Sequence, residues 1–314
     1  MKVPRTISRH AALEAGLAAH ELSGPGWQRI CRGRYARAVD VGGLSAEQRH
    51  LLLIGAVAAG ASSAAVVSHV SAAVAHGLPI WSLPLTRVHM TRNRASGART
   101  GPRIVVHATS TEPDEVVQVG DFRVTTVART VIDLARTVPF EQAVVIGDAA
   151  LRFERTTRSE LAQQLSRSAG RPGCPAARRV VEFLDGRAES PGESRSRIAL
   201  HAFGFPAPEL QPTIVDAEGA FVARVDFLFP TLGVVGEFDG MVKYRSNTPS
   251  GTPESAVIAE KIREDALRAL GWIVIRWIWR DLDTTDRWRS RLTRAADLAR
   301  QYPRSGTWHP TARI

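Results

Sequence analysis

The last third of the chain shows a regular succession of helical and strand-like hydrophobic patterns. Ser190 is suited to cap a helix that ends before Gly204, and Gly271 is suited to end a second helix. Between and after them lie apolar runs of strand length. The pattern predicts the order α, β, β, β, α, β, α, with elements at 190–203, 210–216, 221–229, 233–238, 252–270, 272–279 and 286–301.

The middle of the chain mixes both periodicities. The pattern predicts two helices, 46–59 and 66–78, the second closed by Gly77. Strands at 87–90 and 103–107 and a helical segment at 125–135 complete an α+β unit. Arg129 and Asp133, four residues apart, are expected to form an ion pair on that last helix.

The first 40 residues predict short helices followed by a basic hairpin. A helix at 10–19 and the start of another at 21–22 precede the break Gly24-Pro25-Gly26. Two short strands are then expected on either side of Gly33. This arrangement is typical of a winged helix, in which arginines of the hairpin contact phosphates, and the candidates are Arg29, Arg32, Arg34 and Arg37.

With 314 residues the chain is too long for one ordinary domain. We expect an α/β multidomain protein: a winged-helix-like unit (1–42), a middle α+β domain (43–165), an Arg- and Pro-rich linker (166–189) and a C-terminal αβββαβ domain (190–314). The apolar run 51–67 is diluted by small residues, so it predicts a buried helix rather than a membrane span.

Positive charge is concentrated in the first third of the chain. Residues 1–110 contain 13 Lys and Arg against 4 Asp and Glu, whereas the remainder is nearly balanced, 28 against 27. Such a field attracts a polyanion, which makes DNA the expected partner. A basic surface that serves only solubility is the alternative. Two isolated cysteines and the lack of a signal-peptide pattern favour a cytoplasmic protein.

The N-terminal half resembles a known family. The Gly33-x-Tyr35 hairpin, the segment Ser68-His69-x-Ser71-Ala72-Ala73 and the segment Thr126-x-Ala128-Arg129-Thr130-x-x-Asp133-Leu134 are similar to the AbiEi-type antitoxins of type IV toxin–antitoxin systems. The resemblance implies a DNA-binding repressor and a toxin as a possible protein partner.

Two of the predicted C-terminal strands bring acidic residues together. If residues 230–233 form a hairpin loop, Phe229 pairs with Val234, and Asp226 lies opposite Glu237. Like charges so placed, with Cβ atoms about 5 Å apart, destabilise a sheet unless a cation lies between them. Mg²⁺, or Mn²⁺ in its place, binds carboxylate oxygens and keeps positions open for phosphate and water. Asp239 is expected on the same face.

The same segment resembles the PD-(D/E)XK nucleases, and among them the Vsr-like endonuclease-fold domains. The matching motifs are Ser190-Pro191-Gly192-Glu193-Ser194, Arg224-Val225-Asp226-Phe227 and Glu237-Phe238-Asp239-Gly240. The resemblance implies a restriction-endonuclease-like domain in which Asp226 and Glu237 bind the metal and Glu193 assists.

One position departs from the family pattern. Asp239 stands where the family has a catalytic lysine. Only three lysines occur in the chain, and two of them, Lys243 and Lys261, flank this site in sequence. We therefore take Lys261 as the candidate replacement, with an ion pair to Asp265 as its ordinary alternative. Arg263 and Arg276 are candidate phosphate contacts.

Plainer structural interpretations stand beside these assignments. Ser190 and Glu193 have the spacing of a capping box, and Asp226 and Glu237 could be an exposed acidic pair. Ser68, His69 and Asp133 lack the nucleophile elbow of a hydrolase. His69 and His76 lie on one helix face without another ligand nearby in sequence, which favours packed histidines over metal ligands.

These observations predict a DNA-binding protein with a metal-dependent endonuclease domain. The alternative is an antitoxin-like repressor that keeps the acidic residues but does not cleave. A scaffold for a toxin or another partner protein is a third possibility.

Overall fold

Buried hydrophobic residues gather into separate cores, and the chain divides accordingly into two units. The computed structural model describes residues 4–240 and 253–311. One unit ends at Leu184 and the other begins at Asp185. The general prediction of a mixed α/β protein is confirmed.

The first unit contains nine strands and eight helices among the described residues. The strands are β1 (Ile7–Ser8), β2 (Trp27–Cys31), β3 (Arg34–Arg37), β4 (Ala65–Val67), β5 (Val88–Arg92), β6 (Arg99–Thr100), β7 (Ile104–Ala108), β8 (Val116–Val119) and β9 (Phe122–Thr125). The helices are α1 (Arg9–Glu14), α2 (Ala38–Gly42), α3 (Ala46–Ala58), α4 (His69–Ala75), α5 (Val127–Thr137), α6 (Phe140–Arg152), α7 (Arg158–Arg167) and α8 (Cys174–Phe183). Two 3₁₀ turns are Glu21–Ser23 and Pro113–Glu115.

Two sheets organise this unit. The predicted N-terminal hairpin is present, with Gly33 at a φ of 72° in its turn, and β1 adds a third strand in the order β1-β3-β2. The helices before it are short, since α1 has six residues and the next turn has three. The larger sheet has the order β6-β7-β5-β4-β9-β8 and packs its apolar residues against α3 and α4.

Two sequence predictions in this unit are wrong. The predicted helix 66–78 begins instead with a strand, because Val66 and Val67 are buried in β4 between two neighbouring strands. A run that is buried throughout does not alternate, so it resembles a buried helix. The predicted linker 166–189 contains α8, whose Ala177 and Val180 are fully buried.

A buried ion-pair network holds α5 in place. Arg129 donates through Nε to Asp133 at 2.8 Å, which confirms the predicted pair, and through Nη1 to Glu115 at 2.6 Å. The side chains of all three residues are at most 3% exposed. Removing one member would leave the others buried without full charge compensation.

The second unit contains seven described strands and four described helices. The strands are β10 (Glu209–Leu210), β11 (Thr213–Val215), β12 (Phe221–Arg224), β13 (Phe227–Phe229), β14 (Val234–Asp239), β15 (Ile273–Ile278) and β16 (Thr307–His309). The helices are α9 (Pro191–Ala202), α10 (Pro253–Ala269), α11 (Trp279–Asp283) and α12 (Thr285–Ala299).

A four-stranded sheet, β10-β13-β14-β15, is the centre of this unit. Val234 and Phe238 of β14 pack into one core with residues of α9 and α12, whereas Val235 packs into another with Leu267 of α10. A smaller sheet, β12-β11-β16, contributes to the second core. Side chains of β14 thus alternate between two apolar layers.

The predicted helices of this unit are confirmed, but two predicted strands are each divided. The segment 210–216 forms β10 and β11, and the segment 221–229 forms β12 and β13, with each pair split between the two sheets. The first division occurs at Gln211, a buried residue with a φ of 55°. Among the helices of the described residues, none is long and apolar enough to cross a membrane.

The Arg129 network gives a stability prediction. We expect Arg129→Ala to lower the free energy of unfolding by about 3–5 kcal/mol, because Asp133 and Glu115 stay buried without their cation. Arg129→Met, which keeps most of the volume, should lose nearly as much. Denaturant unfolding followed by circular dichroism measures both changes.

The control is Arg178→Ala, at an exposed position of α8. Its effect should stay within about 0.5 kcal/mol. A loss below about 1 kcal/mol for both Arg129 variants would show that the network contributes little to stability.

Candidate functional site

Asp226 and Glu237 lie where the hairpin argument predicts them. The observed pairs are Phe229 with Val234 and Phe227 with Gly236, so continuing this register by one residue places Asp226 opposite Glu237. Asp226 lies at a bend just before β13, and its Oδ2 accepts the backbone N–H of Phe238 at 2.9 Å. This bond directs the carboxylate toward β14.

Glu193 approaches the same place from the first turn of α9. Its Oε2 accepts the backbone N–H of Glu189 at 2.7 Å, and its Oε1 accepts the Ser190 hydroxyl at 2.8 Å. Ser190 caps the helix as predicted, accepting the Glu193 N–H at 3.2 Å. The return bond from Glu193 goes to the N–H of residue 189 rather than residue 190. The Glu193 side chain is therefore held inward, and the residue is only 7% exposed.

Gln211 connects two of the acids, and sequence reasoning missed it. Its Nε2 donates to Glu193 Oε2 at 2.9 Å and to Asp226 Oδ1 at 3.4 Å. Its backbone N–H donates to the Asp226 carbonyl at 3.1 Å. The left-handed backbone of Gln211 interrupts the predicted strand, so the strand pattern does not predict where its amide lies. The signal in the sequence is a polar residue inside a predicted strand.

The carboxyl groups of this cluster repel one another. Burial, followed by the charge of Asp226, raises the pKa of Glu193 to about 7. The same two causes in the same order raise the pKa of Glu237 to about 7. Asp226 thus acts on both glutamates, and the nearby donors do not compensate fully for the negative charge.

Arg263 is a cation that contacts this cluster. Its Nη1 donates to Glu237 Oε1 at 3.0 Å, and its Nε donates to Glu260 Oε2 at 2.9 Å. Glu260 in turn contacts Arg276, which also pairs with Glu264 at 2.9 Å. The two arginines predicted to contact phosphate therefore lie in one charged chain between α10 and β15.

The two remaining predicted catalytic residues are Asp239 and Lys261, and the structure places them differently. Asp239 is half-buried at the end of β14, two residues beyond Glu237 and on the same face of the strand. Lys261 is exposed on α10, because that helix turns Glu260, Arg263 and Leu267 inward. The structure does not bring Lys261 into the acidic cluster. Lys243 lies outside the described residues.

The basic hairpin presents most of its arginines to solvent. Arg29, on β2, pairs with Tyr35, and Arg37, on β3, pairs with Trp27; the alternation of the strands places these four side chains on one face. Arg29, Arg32 and Arg37 are exposed. Arg34 differs, because it is half-buried and its Nη2 reaches the Ala59 carbonyl at 3.5 Å.

The hydrolase alternative has no geometric support. Ser68 Oγ lies 3.0 Å from Nδ1 of His69, but Asp133 is bound by Arg129 and Arg136. Burial is the main cause that lowers the pKa of His69, His89 and His107, the last two to about 4. His76 bonds the Thr125 carbonyl at 2.7 Å, as a packed histidine does.

The acidic cluster offers hard oxygen ligands suited to Mg²⁺ or Mn²⁺. Mg²⁺ is commonly held by one or two carboxylates together with waters and substrate phosphates. Asp226 and Glu237 can supply those carboxylates, while Glu193 lies beside Asp226 through Gln211. The ligand atoms are therefore of the type that the ion prefers.

The raised pKa values predict that stability falls with rising pH. Glu237 has an ordinary pKa of 4.5 and a folded-state pKa of about 7. Its contribution is fully present below about pH 4.5 and is lost as the pH rises through about 7. Between about pH 5 and pH 8 the free energy of unfolding should fall in wild type and fall less in Glu237→Gln. We expect the difference between the two falls to reach up to about 3 kcal/mol.

Denaturant unfolding across this pH range measures the effect, with Glu218→Gln, at an exposed turn, as the matched control. The control should follow the wild-type curve. Identical pH profiles for wild type and Glu237→Gln would contradict the assigned repulsion.

Comparisons with known proteins identify proteins similar to this chain, but no activity. No family model matches this chain. It is 34% identical over 174 residues to the uncharacterized proteins Rv2248 and MT2308 of two Mycobacterium tuberculosis strains, which covers 55% of this chain and 61% of either relative. The chain thus spans less than two thirds of these relatives. A solved structure, the RV2827C protein of Mycobacterium tuberculosis, is 16% identical with a TM-score of 0.39, covering 62% of this chain and 75% of that one.

Proposed function

We propose that the second unit is a Mg²⁺-dependent endonuclease domain that hydrolyses DNA phosphodiester bonds, with Mn²⁺ as a substitute ion. The observation that carries this proposal is the convergence of Glu193, Asp226 and Glu237, in which Gln211 bonds both Glu193 and Asp226 and the N–H of Phe238 bonds Asp226. The charge of Asp226 also raises the pKa of both glutamates. Carboxylates gathered in this way are typical of a site for a divalent ion. The order of acidic motifs supports the endonuclease-type assignment.

Each residue of the cluster has a distinct part in this proposal. Asp226 and Glu237 hold the ion, and the Phe238 N–H fixes the orientation of Asp226. When bound, Mg²⁺ supplies Lewis-acid chemistry, activating water and neutralising charge that develops on the phosphate. Glu193, with a pKa near 7, accepts or returns a proton at its carboxyl group. Gln211 keeps Glu193 and Asp226 in register.

Arg263 takes the part that the missing lysine has in related nucleases. Its guanidinium is half-buried and already contacts Glu237 at 3.0 Å. If Glu237 held a divalent ion, the planar donors of this guanidinium would be well suited to a phosphate oxygen. Asp239, on the same face of β14, is a further candidate ligand.

The basic hairpin of residues 27–37 supplies DNA binding in this proposal. Arg29 and Arg37 share a face with two aromatic side chains, and Arg32 lies in the turn. Contacts of this kind neutralise phosphates and position the protein without reading sequence. We also propose that residues 1–42 act as a winged-helix-like DNA-binding unit.

Cleavage assays test the nuclease proposal. We expect the full chain to cleave supercoiled plasmid or single-stranded DNA with Mg²⁺ or Mn²⁺, and Asp226→Asn to lower the rate at least about 100-fold through loss of the ion. Asp265→Asn, at an exposed position of α10, is the control and should retain activity. Intact DNA in every wild-type reaction, together with no binding of either metal, would refute the proposal.

A non-cleaving, antitoxin-like repressor is the second candidate function. Asp239 in the lysine position and the Arg263–Glu237 ion pair favour it, because Arg263 already compensates part of the acidic charge. In this case Asp226→Asn leaves DNA binding unchanged, and wild-type protein does not cleave.

Both candidates require the hairpin to bind DNA, and salt dependence tests that requirement. Replacing Arg29, Arg32 and Arg37 together by Ala should flatten the slope of log K against log salt by about 0.9 for each lost phosphate contact. Arg34→Ala should change the slope least, because that guanidinium already reaches the Ala59 carbonyl. Equal slopes for wild type and the triple variant would exclude the hairpin as the DNA-binding surface.

A further inference from the structure

Three histidines converge in the first unit. His69 is the first residue of α4, His89 lies in β5, and His107 lies in the neighbouring parallel strand β7. Thr91 pairs with His107 and His89 pairs with Val105, so His89 and His107 are on the same face of the sheet. The Ser71 hydroxyl of α4 accepts the backbone N–H of His89 at 2.9 Å, and this bond connects the helix to β5.

The ring nitrogens of these histidines lie within reach of a single ion. One ligand nitrogen from each of the three lies within 4.8 Å of the other two. Nδ1 of His89 is 3.1 Å from Nε2 of His107. In a tetrahedral Zn²⁺ site with Zn–N bonds of about 2.0–2.1 Å, the nitrogens are about 3.3 Å apart. The observed pair is already close to that separation.

The surroundings hold the cluster together by hydrogen bonds. Ser68 Oγ lies 3.0 Å from Nδ1 of His69 and accepts the Thr91 hydroxyl at 2.8 Å. His69 occupies a left-handed backbone conformation, with a φ of 52°, that aims its ring at the sheet. Such strain in a non-glycine residue persists where the surrounding structure requires a particular orientation.

Two arginines that act on the cluster are paired with acids. Arg129 and Arg136 both act on His69, and both are bound to Asp133. Arg129 is bound to Glu115 as well, at 2.6 Å. Their positive charges are therefore largely compensated, and Arg87, which acts on His89, is exposed to solvent, which screens its charge.

We propose that His69, His89 and His107 form a binding site for a transition-metal ion, Zn²⁺ in the first instance. Imidazole nitrogens suit Zn²⁺, whereas Mg²⁺ prefers oxygen, so this site and the acidic cluster select different ions. Three protein nitrogens leave a fourth position for water. The bound ion joins α4, β5 and β7.

Binding requires one rearrangement of the rings. His69 and His107 are stacked with centroids 3.6 Å apart and planes inclined by 14°. An ion bound to a ring nitrogen lies near the plane of that ring, so these two rings must turn relative to each other. Rotation about the side-chain bonds of one of the two rings is the movement that binding requires.

Metal analysis of the untagged full chain tests the site. We expect about one Zn²⁺ per chain after equilibrium dialysis, and Co²⁺ in its place should give the intense visible absorption of a tetrahedral site. His107→Gln and His89→Gln should each weaken Zn²⁺ binding at least about tenfold. His76→Gln is the matched control, since His76 ends the same helix and bonds the Thr125 carbonyl.

Each histidine variant is also made in a chain that carries Asp226→Asn. Zn²⁺ binding at the histidines is then measured apart from binding at the acidic cluster. X-ray absorption at the zinc edge of wild-type protein needs no variant and should show about three imidazoles bound to the ion. The proposal is overturned if the folded wild-type chain binds no Zn²⁺. It is also overturned if the spectrum lacks imidazole ligands, or if His107→Gln and His89→Gln bind like wild type.

Discussion

The proposed function of the second unit depends on the repulsion between Asp226 and the two glutamates beside it, Glu193 and Glu237. Asp226 accepts a backbone N–H of β14, and its charge raises the pKa of both Glu193 and Glu237. Several features of the fold maintain this arrangement. At Gly192 a Cβ would lie 1.9 Å from the Phe238 ring, so the absence of a side chain allows α9 to place Glu193 close to β14. Gln211 adopts a left-handed conformation to join Glu193 and Asp226.

Arg263 links this repulsion to both candidate functions. It contacts Glu237 directly and continues through Glu260 to Arg276, so part of the negative charge is compensated from α10 and β15. A divalent ion would complete the compensation and free the guanidinium for phosphate. On our proposal, the difference between a nuclease and a repressor would lie in the affinity of this cluster for metal.

The sequence predicts those parts of the candidate site whose geometry follows from local rules. The apolar alternation and the four-residue turn led to the observed pairing of Phe229 with Val234, and hence to the alignment of Asp226 and Glu237. Ser190 marked the start of α9 in the same way. Lys261 stands out in the sequence because lysine is rare among the basic residues, but the helical phase of α10 turns it to solvent and turns Arg263 inward.

Other features depend on contacts between distant parts of the chain. Gln211 bonds residues 15 and 18 positions away, across a break in a predicted strand. Val66 and Val67 form a central strand because both of their neighbours are strands, which no local pattern shows. The proximity of His69 to His89 and His107 arises from the packing of α4 on two parallel strands, whereas sequence reasoning compared His69 only with His76.

The most direct measurement of the central claim is a titration of the glutamate side-chain carboxyls by ¹³C NMR, with Glu193 and Glu237 assigned by substitution. Without metal, both should titrate with a pKa near 7, far above the ordinary 4.5. Saturating Mg²⁺ should lower both values, because the ion favours the ionised carboxylates. Ordinary titration of both groups near 4.5, with no response to Mg²⁺ or Mn²⁺, would contradict the account.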